Sequence, residues 1–192
     1  MGIRQKVIQL LYPLIMKFSG KTATIMNNAN KVKPQLPIYN LSFLSNKKKE
    51  IILQDYRGKK LLLVNTASRC GYTPQYKELQ QLQEQFSKSL VVIGFPANDF
   101  KEQEKLNDEE IADFCEINFG VTFLLAAKSS VVKGSDQNKV FQWLSNKEMN
   151  GWNDKAPKWN FSKYLVNEEG MLTHYFDPSV SPLSKEIRDV II

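Results

Sequence analysis

Soft ligands are scarce in this chain. Its 192 residues include two cysteines, Cys70 and Cys115, and one histidine, His174. Two thiols so far apart in sequence make no disulfide framework, and no Cys-x-x-Cys pair is present to begin a zinc site. One imidazole excludes a multi-histidine metal centre. The expectation is therefore chemistry without a metal or a bound cofactor. A membrane-spanning run is also missing. The longest apolar stretch near the amino terminus, from Val7 to Met16, is broken by Gln9 and Pro13 and closed by Lys17. That is too short to span a bilayer. Internal repeats and low-complexity tracts are absent too.

What is present is a moderately basic chain, with 26 Lys and Arg against 20 Asp and Glu, a formal charge of +6 and a pI near 9.2. Such a balance favours anionic surfaces without choosing among lipid, nucleic acid and acidic protein. The one lysine cluster, Lys47-Lys48-Lys49, lacks the interleaved aromatics of a nucleic-acid platform and reads as a solvated hairpin tip. An apolar content of 42% over this length suits one well-filled core. Residues 36–192 are expected to form that domain, with residues 1–35 as an N-terminal segment and linker.

The N-terminal segment has three readings. Arg4 and Lys6 ahead of an apolar stretch suit a signal peptide, with Ser19-Gly20 or Thr22-Ala23-Thr24 as strained cleavage sites. Val7, Leu10, Leu11 and Leu14 at helical spacing between Lys6 and Lys17 suit a helix lying on a membrane. The third is a helix packed on the domain. A cytoplasmic location is the expectation, with membrane association or export as alternatives. Met26 to Lys33, rich in Asn and Lys, reads as linker.

Further on, Ile38 to Leu44 and Ile51 to Leu53 flank a polar turn and predict a β-hairpin. Leu61 to Val64 predicts a buried strand. A helix follows from about Pro74, with Tyr76, Leu79, Leu82 and Phe86 on one face. Leu90 to Phe95 predicts a neighbouring parallel strand. Asn107-Asp108-Glu109-Glu110 opens a helix that carries Cys115 and stops at Gly120. Val121 to Leu125 predicts a short strand and Asp136 to Ser145 a helix. Phe161 to Val166 with Leu172 to Phe176 predicts a second hairpin, and a last helix runs from Pro182. The order is α/β, with helices layered on a central mixed sheet.

Cys70 falls at the first strand-to-helix turn of this order. Helix N–H groups, Arg69 and Lys77 all favour its thiolate, and Gly71, Thr73 and Pro74 build a turn that leaves the sulfur near a surface. The competing reading is a small buried hydrophobe. A cysteine at this place looks like the thioredoxin fold, but fold alone does not give the chemistry. Thr73 stands where a disulfide-exchange catalyst needs its second thiol. A lone activated thiolate suits peroxide instead, because sulfur attacks one oxygen and becomes a sulfenic acid that another thiol resolves.

Three separated stretches carry an identification: Asn65-Thr66-Ala67-Ser68-Arg69-Cys70-Gly71-Tyr72-Thr73, then Gly94-Phe95-Pro96-Ala97-Asn98-Asp99-Phe100-Lys101-Glu102-Gln103-Glu104, then Trp159-Asn160-Phe161. In this order the chain resembles the glutathione peroxidase family from about Ile38 to Ile187. The resemblance implies a peroxidatic Cys70 flanked by Gln103, Trp159 and Asn160, whose N–H groups stabilise developing negative charge. It implies reduction of hydrogen peroxide and organic or lipid hydroperoxides, with thioredoxin or glutathione as reductant. Ala97, Asp99 and Leu124 depart from the family's usual residues. Thioredoxin-using members carry a resolving cysteine in the helix after Gln103. Cys115 lies one residue earlier than in their common pattern, a rotation of about 100° on a helix. It either resolves Cys70 after local unwinding or never reacts. The short connection between Leu144 and Trp159, without an evident arginine-rich glutathione site, resembles the small monomeric thioredoxin-preferring branch. Two other classes remain open, a peroxide sensor that relays oxidation to a partner protein and a binding module with an inert cysteine.

Overall fold

The computed structural model describes residues 7, 10–14, 16 and 23–192. Its framework is a six-stranded mixed sheet in the order β1-β8-β7-β4-β5-β6. The strands are β1 Ile25–Asn27, β4 Lys60–Thr66, β5 Leu90–Pro96, β6 Leu124–Leu125, β7 Lys163–Val166 and β8 Leu172–Phe176. β2 Ser42–Leu44 and β3 Glu50–Ile52 pair separately as an antiparallel hairpin. The helices are α1 Gln75–Gln85, α2 Asp108–Phe119, α3 Lys139–Leu144, α4 Lys147–Asn150 and α5 Lys185–Ile191. This is the α/β arrangement that the order of elements implied.

β4 and β5 are buried along almost their whole length because both faces of the sheet are covered. Alternation along β4 sends Leu62 and Val64 into one core, with Cys70, Leu79, Ile111, Cys115 and Ile187. Leu61 and Leu63 enter a second core on the other face, with Phe43, Phe141, Trp143 and Tyr164. β4 runs parallel to β5, pairing Thr66 with Pro96, and antiparallel to β7, pairing Val64 with Lys163. Those two registers bring three chain segments to one end of the sheet. α2 begins with a capping box, in which Asn107 Oδ1 accepts from Glu110 N–H and Glu110 Oε2 accepts from Asn107 N–H, both at 2.9 Å. It ends at Gly120 with φ near 65°, where a left-handed residue is needed.

Several boundaries differ from the sequence reading, for physical reasons. The segment Met26 to Lys33 is not wholly a linker, because β1 pairs with β8 from Ile25↔Phe176 to Asn27↔His174. An edge strand with exposed residues carries little hydrophobic signal. The strand expected over Val121 to Leu125 shrinks to Leu124–Leu125, since only Ile93 and Gly94 are available as partners. A Cβ at position 94 would stand 2.8 Å from Leu125 Cδ2, so glycine there is what lets β6 approach. α3 starts late because Asn138 caps it, accepting from Val140 N–H. α4, capped by Asn146 and ended by Gly151, is a single turn of four residues, too short to carry a helical period in the sequence.

Of the N-terminal segment, residues 10–14 are helical. Tyr12 O–H donates to Glu78 Oε1 at 2.6 Å, and Gln75 Nε2 lies 3.9 Å from Met16 Sδ. One side of the helix therefore packs on α1, while Val7, Leu10, Leu11 and Leu14 remain exposed. The cleavage positions considered above, Ser19, Gly20 and Thr22, lie outside the described residues. No helix among the described residues is long and apolar enough to cross a membrane.

Candidate active site

The turn after β4 is tied down before it reaches the sulfur. Ser68 N–H and Oγ–H donate to the two oxygens of Glu104 at 2.7 and 2.8 Å, and Arg69 N–H donates to Gln103 O at 3.0 Å. Glu104 is fully buried, and burial pushes its carboxyl up despite these donors. Thr73, in the place of an exchange thiol, latches the turn instead. Its hydroxyl donates to Ala67 O at 2.9 Å and accepts from Cys70 N–H at 3.0 Å.

Cys70 is a free thiol with only 1% of its surface exposed. This corrects the expectation of a sulfur near the surface with a lowered pKa. Burial raises its pKa, and that outweighs the opposing donors: Tyr72 N–H at 3.4 Å, the Trp159 and Asn160 side chains, and Gly71 N–H. Arg69 and Lys77 are exposed and are not among the groups acting on the sulfur. Solvent screens their charge. The oriented N–H groups, which the buried site keeps dry, are what the sulfur meets.

Trp159 and Asn160 arrive from the segment before β7. Asn65, on β4, clamps that segment at three points. Its Nδ2 donates to Trp159 O at 3.1 Å, its Oδ1 accepts from Ser162 N–H at 3.0 Å, and its backbone O accepts from Phe161 N–H at 2.6 Å. Phe161 is held at φ 69°, the left-handed region, which costs a bulky residue on the order of 1–3 kcal/mol. The indole of Trp159 also lies 5.5 Å from the Phe100 ring, with Lys101 Nζ 5.8 Å from its centroid.

Gln103 is placed differently from the other three. Its Oε1 accepts from Asn160 Nδ2 at 3.0 Å, so it meets the site through Asn160 and is not among the groups that shift Cys70. Asn160 Oδ1 is buried and has no hydrogen-bond partner among the described residues. Asp99, one of the departures from the family pattern, accepts from Ser130 Oγ–H and Val131 N–H and braces the Gln103 loop. Leu124 lies in β6 at the sheet edge.

Cys115 sits inside α2, fully buried, and burial pushes its thiol up to about 12. It faces the Tyr76 hydroxyl and, more remotely, Glu104. His174 lies half-buried on β8, stacked on Phe176. Among the described residues no group of three or more His, Cys, Asp or Glu could hold a metal ion. Sequence reasoning missed Asn65 and Glu104 as supports of the site. Both lie within stretches that carry the family resemblance, but their work is visible only as buried hydrogen bonds.

A thioredoxin-like sheet that ends in one buried thiol among amide and indole donors defines an oxidoreductase. Known proteins agree on the fold. A DsbF homologue from Corynebacterium diphtheriae superposes with a TM-score of 0.59 over 90% of this chain and 91% of its own, at 16% identity. The apo crystal structure of Trgpx superposes at 0.62, with 31% identity over 82% of this chain and 94% of that one. The glutathione peroxidase family pattern matches residues 38–145. Glutathione peroxidase-like peroxiredoxin 2 of Saccharomyces cerevisiae is 38% identical over 80% of this chain and 96% of its own length. The glutathione peroxidase homolog BsaA of Bacillus subtilis is 37% identical over 82% and 97%. The chain belongs to the glutathione peroxidase family, and it is a thiol-dependent peroxidase.

Replacing Asn65 by Leu strands the Ser162 N–H and leaves the Trp159 carbonyl with only the Ser162 hydroxyl as donor. A buried orphan costs about 1–3 kcal/mol. Urea unfolding of Asn65→Leu should show a loss of about 1–3 kcal/mol, and a loss below about 0.5 kcal/mol would remove Asn65 from the scaffold of the site.

Proposed function

We propose that the chain reduces hydrogen peroxide and organic hydroperoxides at Cys70, with Gln103, Trp159 and Asn160 supporting the reaction and Cys115 resolving the product. The observation that carries this reading is the Cys70 sulfur, buried yet met by the Tyr72 N–H and by the side chains of Trp159 and Asn160. Burial keeps the resting thiol protonated, so these donors matter most as negative charge develops during attack. Sulfur attacks the distal oxygen and bonds to it, the O–O bond breaks, and the thiol proton leaves with the other oxygen as water or alcohol. Cys70 is left as a sulfenic acid. Attack by the Cys115 thiol then forms a Cys70–Cys115 disulfide and releases water, and a dithiol such as thioredoxin reduces that bond.

The second step needs movement, since Cys115 is buried and protonated where it stands. Its position favours such movement. Cys115 opens the last stretch of α2, where its carbonyl accepts from the Gly120 cap N–H and, at 3.3 Å, from Val121 N–H. Unwinding residues 115–119 would free the thiol without disturbing the capping box at the other end. Thioredoxin is favoured over glutathione because the disulfide is intramolecular and suits a dithiol reductant. The alternative, a peroxide sensor, uses the same first step and passes the oxidation to a partner protein.

The exposed face of the N-terminal helix gives a further reading, contact with an anionic membrane. Leu10 is 79% exposed, and Leu14 and Val7 about half, on a helix held to α1 by Tyr12 and Glu78. In sequence Arg4, Lys6, Lys17 and Lys21 flank it. An apolar stripe with cationic flanks suits an interfacial helix. Gln75, whose side chain meets Met16, begins the helix that follows the Cys70 turn, so docking would bring the thiol close to the lipid.

Peroxide consumption coupled to thioredoxin, its reductase and NADPH should fall more than a hundredfold in Cys70→Ser, and a loss below tenfold would sink the assignment. Cys115→Ser should keep the first oxidation and lose thioredoxin-coupled turnover. Unchanged turnover, with glutathione equally effective, would overturn the intramolecular disulfide, and repeated capture of one non-reductase partner by Cys115→Ser would favour the sensor. Cosedimentation with vesicles of mixed anionic and zwitterionic phospholipid should weaken at least tenfold in Leu10→Glu/Leu14→Glu, with the rate on hydrogen peroxide unaffected. Equal binding by the double variant would exclude the helix as the contact.

A further inference from the structure

Lys163 is the one lysine among the fully buried side chains of the described structure, and the chemistry above does not use it. It opens β7, and alternation places it on the same face as Leu165, the side of the sheet that carries Cys70. Its Nζ donates to Phe161 O at 2.8 Å and to Pro178 O at 3.2 Å. The Pro178 carbonyl also accepts from Gln75 Nε2 at 2.7 Å. One side chain thus joins the Trp159-Asn160-Phe161 segment, the turn after β8 and the start of α1.

Filling space does not explain a lysine here. An apolar side chain of similar volume would pack without the desolvation that a buried ammonium suffers. Burial holds Lys163 down to about 7, against the opposing pull of Glu78 on α1 and Asp177 after β8. Neither carboxylate forms an ion pair with it among the described residues. Glu78 is taken by the hydroxyls of Tyr12 and Ser181, and Asp177 by Thr24 N–H, Tyr175 O–H and Lys158. Both protonation states of the amine still offer N–H groups to the two carbonyls.

The carbonyl it grips belongs to the residue under strain. Phe161 is at φ 69°, directly after Asn160, and its own N–H is held by Asn65. Pinned on both sides, the peptide cannot relax to an ordinary conformation without swinging Trp159 and Asn160 off the sulfur. We propose that Lys163 is a positioning residue for the peroxide site, holding Phe161 O so that the Trp159 and Asn160 donors stay aimed at Cys70. The proposal rests on the reading of Cys70 as the attacking thiol.

The test compares Lys163→Met, which keeps the volume and loses the donors, with Lys163→Arg, which keeps donors. Both are made in a Cys115→Ser background so that a single thiol reacts. Two quantities are measured: the pH midpoint of Cys70 alkylation by iodoacetamide without peroxide, and the stopped-flow rate of oxidation by hydrogen peroxide. Lys163→Met should raise the midpoint by about one unit, equivalent to a tenfold loss of thiolate, and slow oxidation at least tenfold. Lys163→Arg should hold the midpoint near that of the parent. A folded Lys163→Met with an unmoved midpoint, or an arginine variant displaced as far as the methionine one, would overturn the proposal. Should Lys163→Met not fold, Lys163→Gln takes its place, being one atom too short to reach Phe161 O, and must show the same rise. Because alkylation involves no peroxide, a raised midpoint with an unchanged oxidation rate would support the positioning role and count against the peroxide reading alone.

Discussion

The pairing of β4 with β5 on one side and β7 on the other is the constraint from which the site follows. Parallel pairing places the ends of β4 and β5 together, so the Cys70 turn and the Gln103 loop leave the sheet side by side. Antiparallel pairing brings the start of β7 to the same end, and with it Trp159 and Asn160. A slip of one residue in either register would reverse every side chain on the strand. It would also move Asn65 away from the three groups it clamps.

At the sulfur, two opposing effects meet and burial is the larger. A thiol sealed from water is harder to ionise, and the surrounding N–H groups offset only part of that cost. The arrangement suits a centre whose charge is brief. Donors that do not move cost nothing to reorganise when charge appears, and exclusion of water strengthens each of them. The exposed cations at Arg69 and Lys77 cannot substitute, since water screens them before their field reaches the sulfur.

Polar groups inside the core serve this geometry. Glu104 anchors Ser68, Asn65 anchors residues 159–162, Thr73 latches the turn around Cys70, and Lys163 holds the far side of Phe161. Each satisfies backbone groups that have no place in a ladder or helix. Cys115 belongs to the same core and is packed like an apolar residue.

The residue pattern is enough for the fold class, the two buried central strands, α1 and α2, and the family resemblance adds the grouping of Cys70, Trp159 and Asn160. These follow from local spacing, or from motifs whose order along the chain is itself the signal. Weakly patterned pieces were not legible. β1 has one exposed face, α4 is a single capped turn, and β6 exists only where Gly94 admits it. The ionisation of Cys70 was misjudged from its neighbours in sequence, because burial is a property of everything packed around it. The sequence by itself determined which thiol stands at the strand-to-helix turn and, through the family resemblance, which donor-bearing residues gather around it, since residue type sets donor chemistry. Only the tertiary structure decided how far that thiol is withdrawn from water, that Gln103 bonds to Asn160, and that a buried lysine lies beneath the site. Desolvation and long-range hydrogen bonds have no period along a chain.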